Sequence, residues 1–142
     1  MQEKAQAVIA KVRPPLSYSL PLVLVAMLAL LASCSVQPQA TSPEEAYEMI
    51  RQQEVVVLDV RTQEEYNSSH IPDALLIPLS ELESRLDELN PSDYILVYCR
   101  SGPRSEEAAN ILVANGFIHV YNMVGGIERW QDEGFPVRAK CP

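Results

Sequence analysis

Tyr94-Ile-Leu-Val-Tyr-Cys-Arg-Ser-Gly-Pro-Arg-Ser105 is the stretch on which the fold turns. Tyr94 to Tyr98 reads as a strand, Cys99 to Arg104 as a loop, and Ser105 to Asn115 as a helix closed by Gly116. Working outward, Val55-Val-Val-Leu58 is short, β-branched and without alternation, as a strand buried on both faces of a parallel sheet requires. Leu75-Leu-Ile77 is another short strand, stopped by Pro78, and His119-Val-Tyr121 is a fourth. Helical patterns lie between them. Ser42 caps one helix, with Pro43 at its first position and Glu45 completing a capping box, and Thr62 and Glu65 form a second box. Leu79, Leu82, Leu86 and Leu89 share one face of a helix opened by Ser80, with Glu81, Glu83, Asp87 and Glu88 on the other. Ile127 to Glu133 makes the last helix, ended by Gly134. Strands alternating with helices over so short a span predict a three-layer α/β domain. Its sheet is mainly parallel and its ligand site lies at the carboxyl ends of the strands.

The chain has 142 residues, 47% of them hydrophobic, which leaves room for one ordinary domain. Its net charge of -8 is uneven: residues 1–33 carry +2, so residues 34–142 carry -10. Eight scattered Lys and Arg against eighteen acids in that acidic part cannot supply the clustered cations that nucleic acid needs, so no nucleic-acid partner is expected. Three cysteines exclude a multi-disulfide scaffold and any four-cysteine metal centre, and only His70 and His119 could assist; no metal is expected.

Lys4, Lys11 and Arg13 precede Leu20–Ala32, an apolar run too short for the roughly 20 residues of a spanning helix. Cations followed by a short apolar region predict a secretory signal over residues 1–33. The alternative is a hydrophobic anchor or a buried helix, against which Pro21 interrupts the run. The run ends in Leu31-Ala-Ser-Cys34, which resembles the lipobox of bacterial lipoproteins. That resemblance implies acylation of Cys34 and an exported protein held on a bacterial membrane, at the periplasm or cell surface, by its lipid alone. Residues 34–41 are expected to be a polar tether reaching roughly 25 Å. The folded domain is expected over 42–138 and a short tail over 139–142. Acidity predicts a domain that hangs from its lipid rather than lying on anionic head groups.

The chemistry is expected in the loop after Tyr98. Gly102 permits a tight turn, and loop amides together with the positive end of the following helix form a cradle for an oxyanion. The same amides, with Arg100 and Arg104, stabilise the thiolate of Cys99 and make it a nucleophile at neutral pH. An inert core cysteine would leave two arginines and a glycine within five residues unexplained.

From about Ser42 to Val137 the chain resembles a single-domain rhodanese, the thiosulfate sulfurtransferase family. Three motifs carry the resemblance: Leu58-Asp-Val-Arg61 with Glu65-Tyr66 and His70-Ile-Pro-Asp-Ala74; Cys99-Arg-Ser-Gly-Pro-Arg-Ser105; and Gly125-Gly-Ile-Glu-Arg-Trp130 with Gly134-Phe-Pro-Val137. The resemblance implies a mainly parallel sheet of five strands, one more than the pattern resolves. It also implies sulfur transfer through a Cys99 persulfide, from a small anionic donor such as thiosulfate to cyanide or a thiol, without cofactor or metal. Arg100 would bind the sulfonate end of the donor, and the amides of Ser101, Gly102, Arg104 and Ser105 would stabilise the persulfide. Arg104 either assists electrostatically or pairs with a carboxylate at the sheet end.

Two departures from the family stand out. Pro103 removes one cradle donor, and Ser69 and Asp73 replace glycines common in the first motif. Asp59 and Arg61 are expected to be a structural ion pair or loop anchor, with a direct supporting role the alternative. His70 is expected to hold a turn, Gly125 and Gly126 to permit close backbone approach, and Trp130 to anchor packing. Cys141 either resolves a persulfide, forms a disulfide or is a free terminal thiol.

Rival functions keep the cysteine but change its use. A cysteine phosphatase of this fold or an arsenate reductase also places a cysteine in an anion cradle ending with arginine; the phosphatase signature has five residues between the two, whereas four separate Cys99 from Arg104. The Cys-Arg-Ser-Gly start favours thiosulfate over mercaptopyruvate. A non-enzymatic persulfide carrier or redox-partner module remains the other reading.

Overall fold

The computed structural model describes residues 36–52 and 55–139. The strands are β1 (Gln39–Thr41), β2 (Val55–Asp59), β3 (Leu75–Leu76), β4 (Tyr94–Tyr98) and β5 (His119–Met123). The α-helices are α1 (Pro43–Gln52), α2 (Gln63–Ser68), α3 (Pro103–Ala114) and α4 (Gly126–Asp132), and a 3-10 segment runs over Leu79–Glu88. The five strands form one sheet in the order β1-β5-β4-β2-β3, and every pairing is parallel.

Alternation along β4 builds the two cores. Ile95 and Val97, with Cys99 just beyond the strand, point to a cluster with Leu82, Ala108 and Leu112, contributed by the 3-10 segment and α3. Leu96 and Tyr98 point to the other face, among Ala46, Met123, Ile127 and Trp130 from the α1 and α4 side. Each of these β4 side chains is essentially inaccessible, so the strand is covered on both faces. Trp130 donates its indole N–H to the Pro136 carbonyl at 2.9 Å and is 1% exposed, which confirms it as a packing anchor.

Both capping boxes form. The Glu45 amide donates to Ser42 Oγ at 3.2 Å while the Ser42 amide donates to the Glu45 carboxylate at 2.9 Å. The Thr62–Glu65 pair does the same at the start of α2.

Three expectations are corrected. Gln39–Thr41, read as tether, is β1: it pairs with Tyr121, Asn122 and Met123 and supplies the fifth strand. The leucine-patterned segment after Pro78 is 3-10 rather than α, with a break at Arg85 (φ -123°), although Leu82 is buried and Leu79 and Leu86 pack against the core as the spacing predicts. Finally, α3 starts two residues earlier than the pattern indicated, at Pro103, a residue suited to a first helical turn. The tail expected over 139–142 and the features expected at residues 1–33, Cys34 and Cys141 lie, apart from Ala139, outside the described residues.

Candidate active site

Cys99 follows the carboxyl end of the central strand, where the chain leaves the sheet and turns into α3. Gly102 makes the turn at φ +129°, a conformation that L side chains rarely adopt. Its amide donates to Cys99 Sγ at 3.1 Å. Cys99 is 1% exposed, and this burial alone would push its thiol up. The Ser105 hydroxyl and the amides of Ser105, Gly102 and Ser101 outweigh burial, and the net shift is below the usual thiol value. The 12-residue α3 adds the positive end of its dipole from behind. Ser105 is wholly buried, and its single hydroxyl proton goes to the Gly102 carbonyl at 2.8 Å in this structure, bracing the turn; turned to the sulfur, the same hydroxyl supplies the donation that lowers the Cys99 thiol.

The two arginines are drawn outward, each to its own carboxylate. Arg104 makes a two-pronged contact with Glu65, 2.8 Å at each guanidinium nitrogen. The side chain is thus paired, with the carboxylate supplied by the first turn of α2 rather than a strand end. Arg104 holds the Glu65 carboxyl down at about 2. Glu65 in turn raises the Arg104 guanidinium, which remains close enough to attract a Cys99 thiolate. Arg100 Nε donates to Glu128 at 2.6 Å, and its side chain stays 67% exposed.

The third motif closes the loop from the other side. The amides of Ile127 and Glu128 donate to the carbonyls of Cys99 and Arg100 at 2.9 and 3.1 Å. A Cβ placed on Gly126 would fall 2.5 Å from both carbonyl oxygens, so only glycine allows this approach.

Asp59 and Arg61 form the expected ion pair, almost wholly buried. The Arg61 amide and Nε each donate to Asp59 Oδ1 at 2.9 Å, and Arg61 Nη2 reaches the Ser69 carbonyl at 2.7 Å. The guanidinium also lies over the Tyr98 ring, 5.5 Å from its centre. Burial and the adjacent Asp59 push the Tyr98 phenol up, and its oxygen accepts the Ile71 amide at 3.2 Å. This network ties the ends of β2 and β4 to the turn at 69–71, and its hydrogen bonds do not run to the cysteine loop. His70 holds that turn as expected: Nδ1 meets the Tyr66 carbonyl at 2.8 Å, and the ring stacks on Tyr66. Asp73 takes the glycine-like conformation directly, at φ +62°, which aspartate tolerates better than most residues, and Arg138 binds its carboxylate at 2.8 Å. Ser69 is extended, so it needs no glycine there.

Sequence reasoning missed the partners. The sequence marks Glu65 as a cap and Glu128 as part of a motif, but no spacing marks either as the counter-ion of a loop arginine. The Ser105 hydroxyl was likewise unread beside its amide.

Residues 42–133 match the family model described as the rhodanese-like domain, and the chain belongs to that family. It is 49% identical over 74 residues to the "Putative sulfur carrier protein YrkF" of Bacillus subtilis, a match covering 52% of this chain and 40% of that relative; the chain therefore spans well under half of that longer protein. It is 36% identical over 87 residues to the thiosulfate sulfurtransferase GlpE of Coxiella burnetii, covering 61% of this chain and 81% of the relative. Among solved structures, a rhodanese-related protein from Thermoplasma volcanium superposes with a TM-score of 0.65 at 33% identity, covering 70% of this chain and 97% of the other.

Proposed function

We propose that the protein is a sulfurtransferase that carries sulfane sulfur on Cys99, taking it from thiosulfate or a related anionic donor and passing it to cyanide or a thiol. The Cys99 thiolate attacks the outer sulfur of thiosulfate. The S–S bond breaks, sulfite leaves with the bonding pair, and a Cys99 persulfide anion remains. The acceptor then attacks the terminal sulfur and Cys99 departs as thiolate, so the cycle needs no external oxidant or reductant. The observation that carries this reading is the Gly102 amide 3.1 Å from a sulfur whose pKa is lowered by three loop amides and the Ser105 hydroxyl. On this reading the same donors stabilise the negative charge of the persulfide. Arg100, exposed and bound only to a surface carboxylate, meets the sulfonate end of the donor. Asp59 and Arg61 support the reaction by fixing the strand ends rather than by touching the donor.

The persulfide-carrier reading has two supports. One relative bears a sulfur-carrier name, and both loop arginines are already neutralised by Glu65 and Glu128, which weakens the pull on a free dianion. Thiocyanate production from thiosulfate and cyanide separates the readings. Sustained turnover that disappears in Cys99→Ser identifies the enzyme, and sulfur loading with negligible turnover identifies the carrier.

We also propose that the chain is exported and acylated at Cys34, so that the domain works at a bacterial membrane. The support is the short apolar run ending in Leu31-Ala-Ser-Cys34 after three cations. Cys34→Ala should move the protein from the membrane to the soluble fraction, and a variant that stays bound to membranes would refute the anchor.

A further inference from the structure

Among the described residues, five large hydrophobic side chains are exposed, and three of them open or precede strands that are neighbours in the sheet. Tyr94, 38% exposed, opens β4; Ile118, 48% exposed, immediately precedes β5; Val36, 38% exposed, lies three positions before β1. These strands are parallel neighbours that enter the sheet from the same amino-terminal side; Tyr94 and His119 are in register at its rim, and Gln39 joins two residues further in, opposite Tyr121. The Tyr94 ring lies flat on His119, with centres 4.4 Å apart and planes 5° from parallel, and the Ile118 amide is tied to the Pro91 carbonyl at 3.3 Å. The Tyr94–His119 stack and Ile118 are therefore held in place at this rim, and Val36 lies on the segment that leads into β1 from the same side.

The chain itself indicates what meets this rim. Because Gln39–Thr41 is built into the sheet, only Ser35–Pro38 separates β1 from Cys34. Four residues reach at most about 14 Å, little more than half the expected tether. In a parallel sheet the loop after β4 lies at the opposite rim, about 16 Å from Tyr94 along the strand.

We propose that the amino-terminal rim carrying Tyr94, Ile118 and Val36 is a membrane-contact face, seated on the lipid surface and turning the Cys99 loop toward the aqueous side. The proposal rests on acylation of Cys34. Tyrosine suits the bilayer interface because its ring is apolar and its hydroxyl stays wet. The lipid anchor holds the rim near the surface, so weak contacts suffice to orient the domain. With a charge of -10 over residues 34–142, the matching surface is zwitterionic rather than anionic. This replaces a domain hanging freely from its lipid with one that stands on its amino-terminal rim and meets donors and acceptors from solution.

The test uses the full chain expressed in a bacterial host, purified in its acylated form and reconstituted into phosphatidylcholine vesicles with or without brominated acyl chains. The native protein carries a single tryptophan, Trp130, 1% exposed, as a silent baseline. Tyr94→Trp and Ile118→Trp place reporters on the rim, and Val124→Trp places one on an exposed site at the carboxyl end of β5. Emission from each rim reporter should fall about two-fold or more in brominated vesicles, as for a side chain about 5 Å or more into the interface, while Val124→Trp should be unchanged. Acylated protein in which the rim reporters are not quenched, or in which Val124→Trp is quenched as much, overturns the contact face; self-association of the acylated protein without rim quenching assigns the rim to a second copy and also overturns it. Absence of an acyl mass on Cys34 refutes the anchor itself and removes the proposal with it, a result the mass spectrum distinguishes from the others.

Discussion

The Ile127 amide donates to the Cys99 carbonyl at 2.9 Å, so the backbone of the candidate nucleophile is held by a helix 28 residues further along the chain. Gly126 makes this possible, since a Cβ there would lie 2.5 Å from the Cys99 and Arg100 carbonyl oxygens, and its φ is +59°. Gly126→Ala should therefore cost about 2 kcal/mol or more, roughly a 10 °C loss of Tm. It should also lower kcat/KM for thiosulfate in the fraction that remains folded. Thermal unfolding and assay of the same sample check both, and a wild-type Tm would show that the loop does not depend on this approach.

Ser105 should set the acidity of Cys99. Burial raises that thiol and the Ser105 hydroxyl leads the groups that lower it, so Ser105→Ala should move the pKa upward. The pH profile of iodoacetamide alkylation reads this directly. Near pH 6 the variant should react several-fold more slowly than wild type, converging with it at high pH where both are thiolate. An unmoved profile would leave the amides as the whole source of the shift.

Glu65 should make stability pH-dependent. Its carboxyl is held at about 2 in the folded protein, chiefly by Arg104, against about 4.3 for an unperturbed glutamate. A depressed carboxylate pKa stabilises the fold above the unfolded value, and that stabilisation is lost as pH falls from about 4.3 toward 2. The pair is partly exposed, so its contribution is discounted to about 1 kcal/mol. Urea midpoints of wild type and Glu65→Gln should differ at pH 6 and converge by about pH 2. A constant gap across that range would mean that the ion pair is not its source.

Parts of this architecture were legible in sequence because their causes are local. The apolar run Val55–Leu58 lies in β2, and the Thr62 and Ser42 boxes cap helices. Cys99 lies between strand and helix, as the loop reading required. What escaped depends on distant partners. Gln39-Ala-Thr41 is short and polar, and it becomes a strand only because β5, 82 positions later in register, offers it an edge. Arg104 and Glu65 are 39 residues apart, and Arg100 and Glu128 are 28, so no spacing rule could join them. The leucine repeat after Pro78 correctly marked a buried face but could not distinguish 3-10 from α, since both bring positions three apart to one side.

Asp59 separates a structural role from a chemical one. Asp59→Ala leaves Arg61 buried without its counter-ion and should destabilise the fold by about 3–5 kcal/mol, measured by urea unfolding. Below the transition, the folded variant should still take up sulfur on Cys99. Loss of sulfur uptake in protein shown to be folded would place Asp59 in the reaction instead.

The central claim is that Cys99 accepts sulfane sulfur, and intact mass spectrometry after incubation with thiosulfate tests it most directly. The protein should gain about 32 Da, the mass of one sulfur left by nucleophilic attack, with the addition mapping to Cys99, absent from Cys99→Ser and removed by cyanide. A wild-type protein that is folded, carries a reactive Cys99 thiol and gains no such mass would contradict the account.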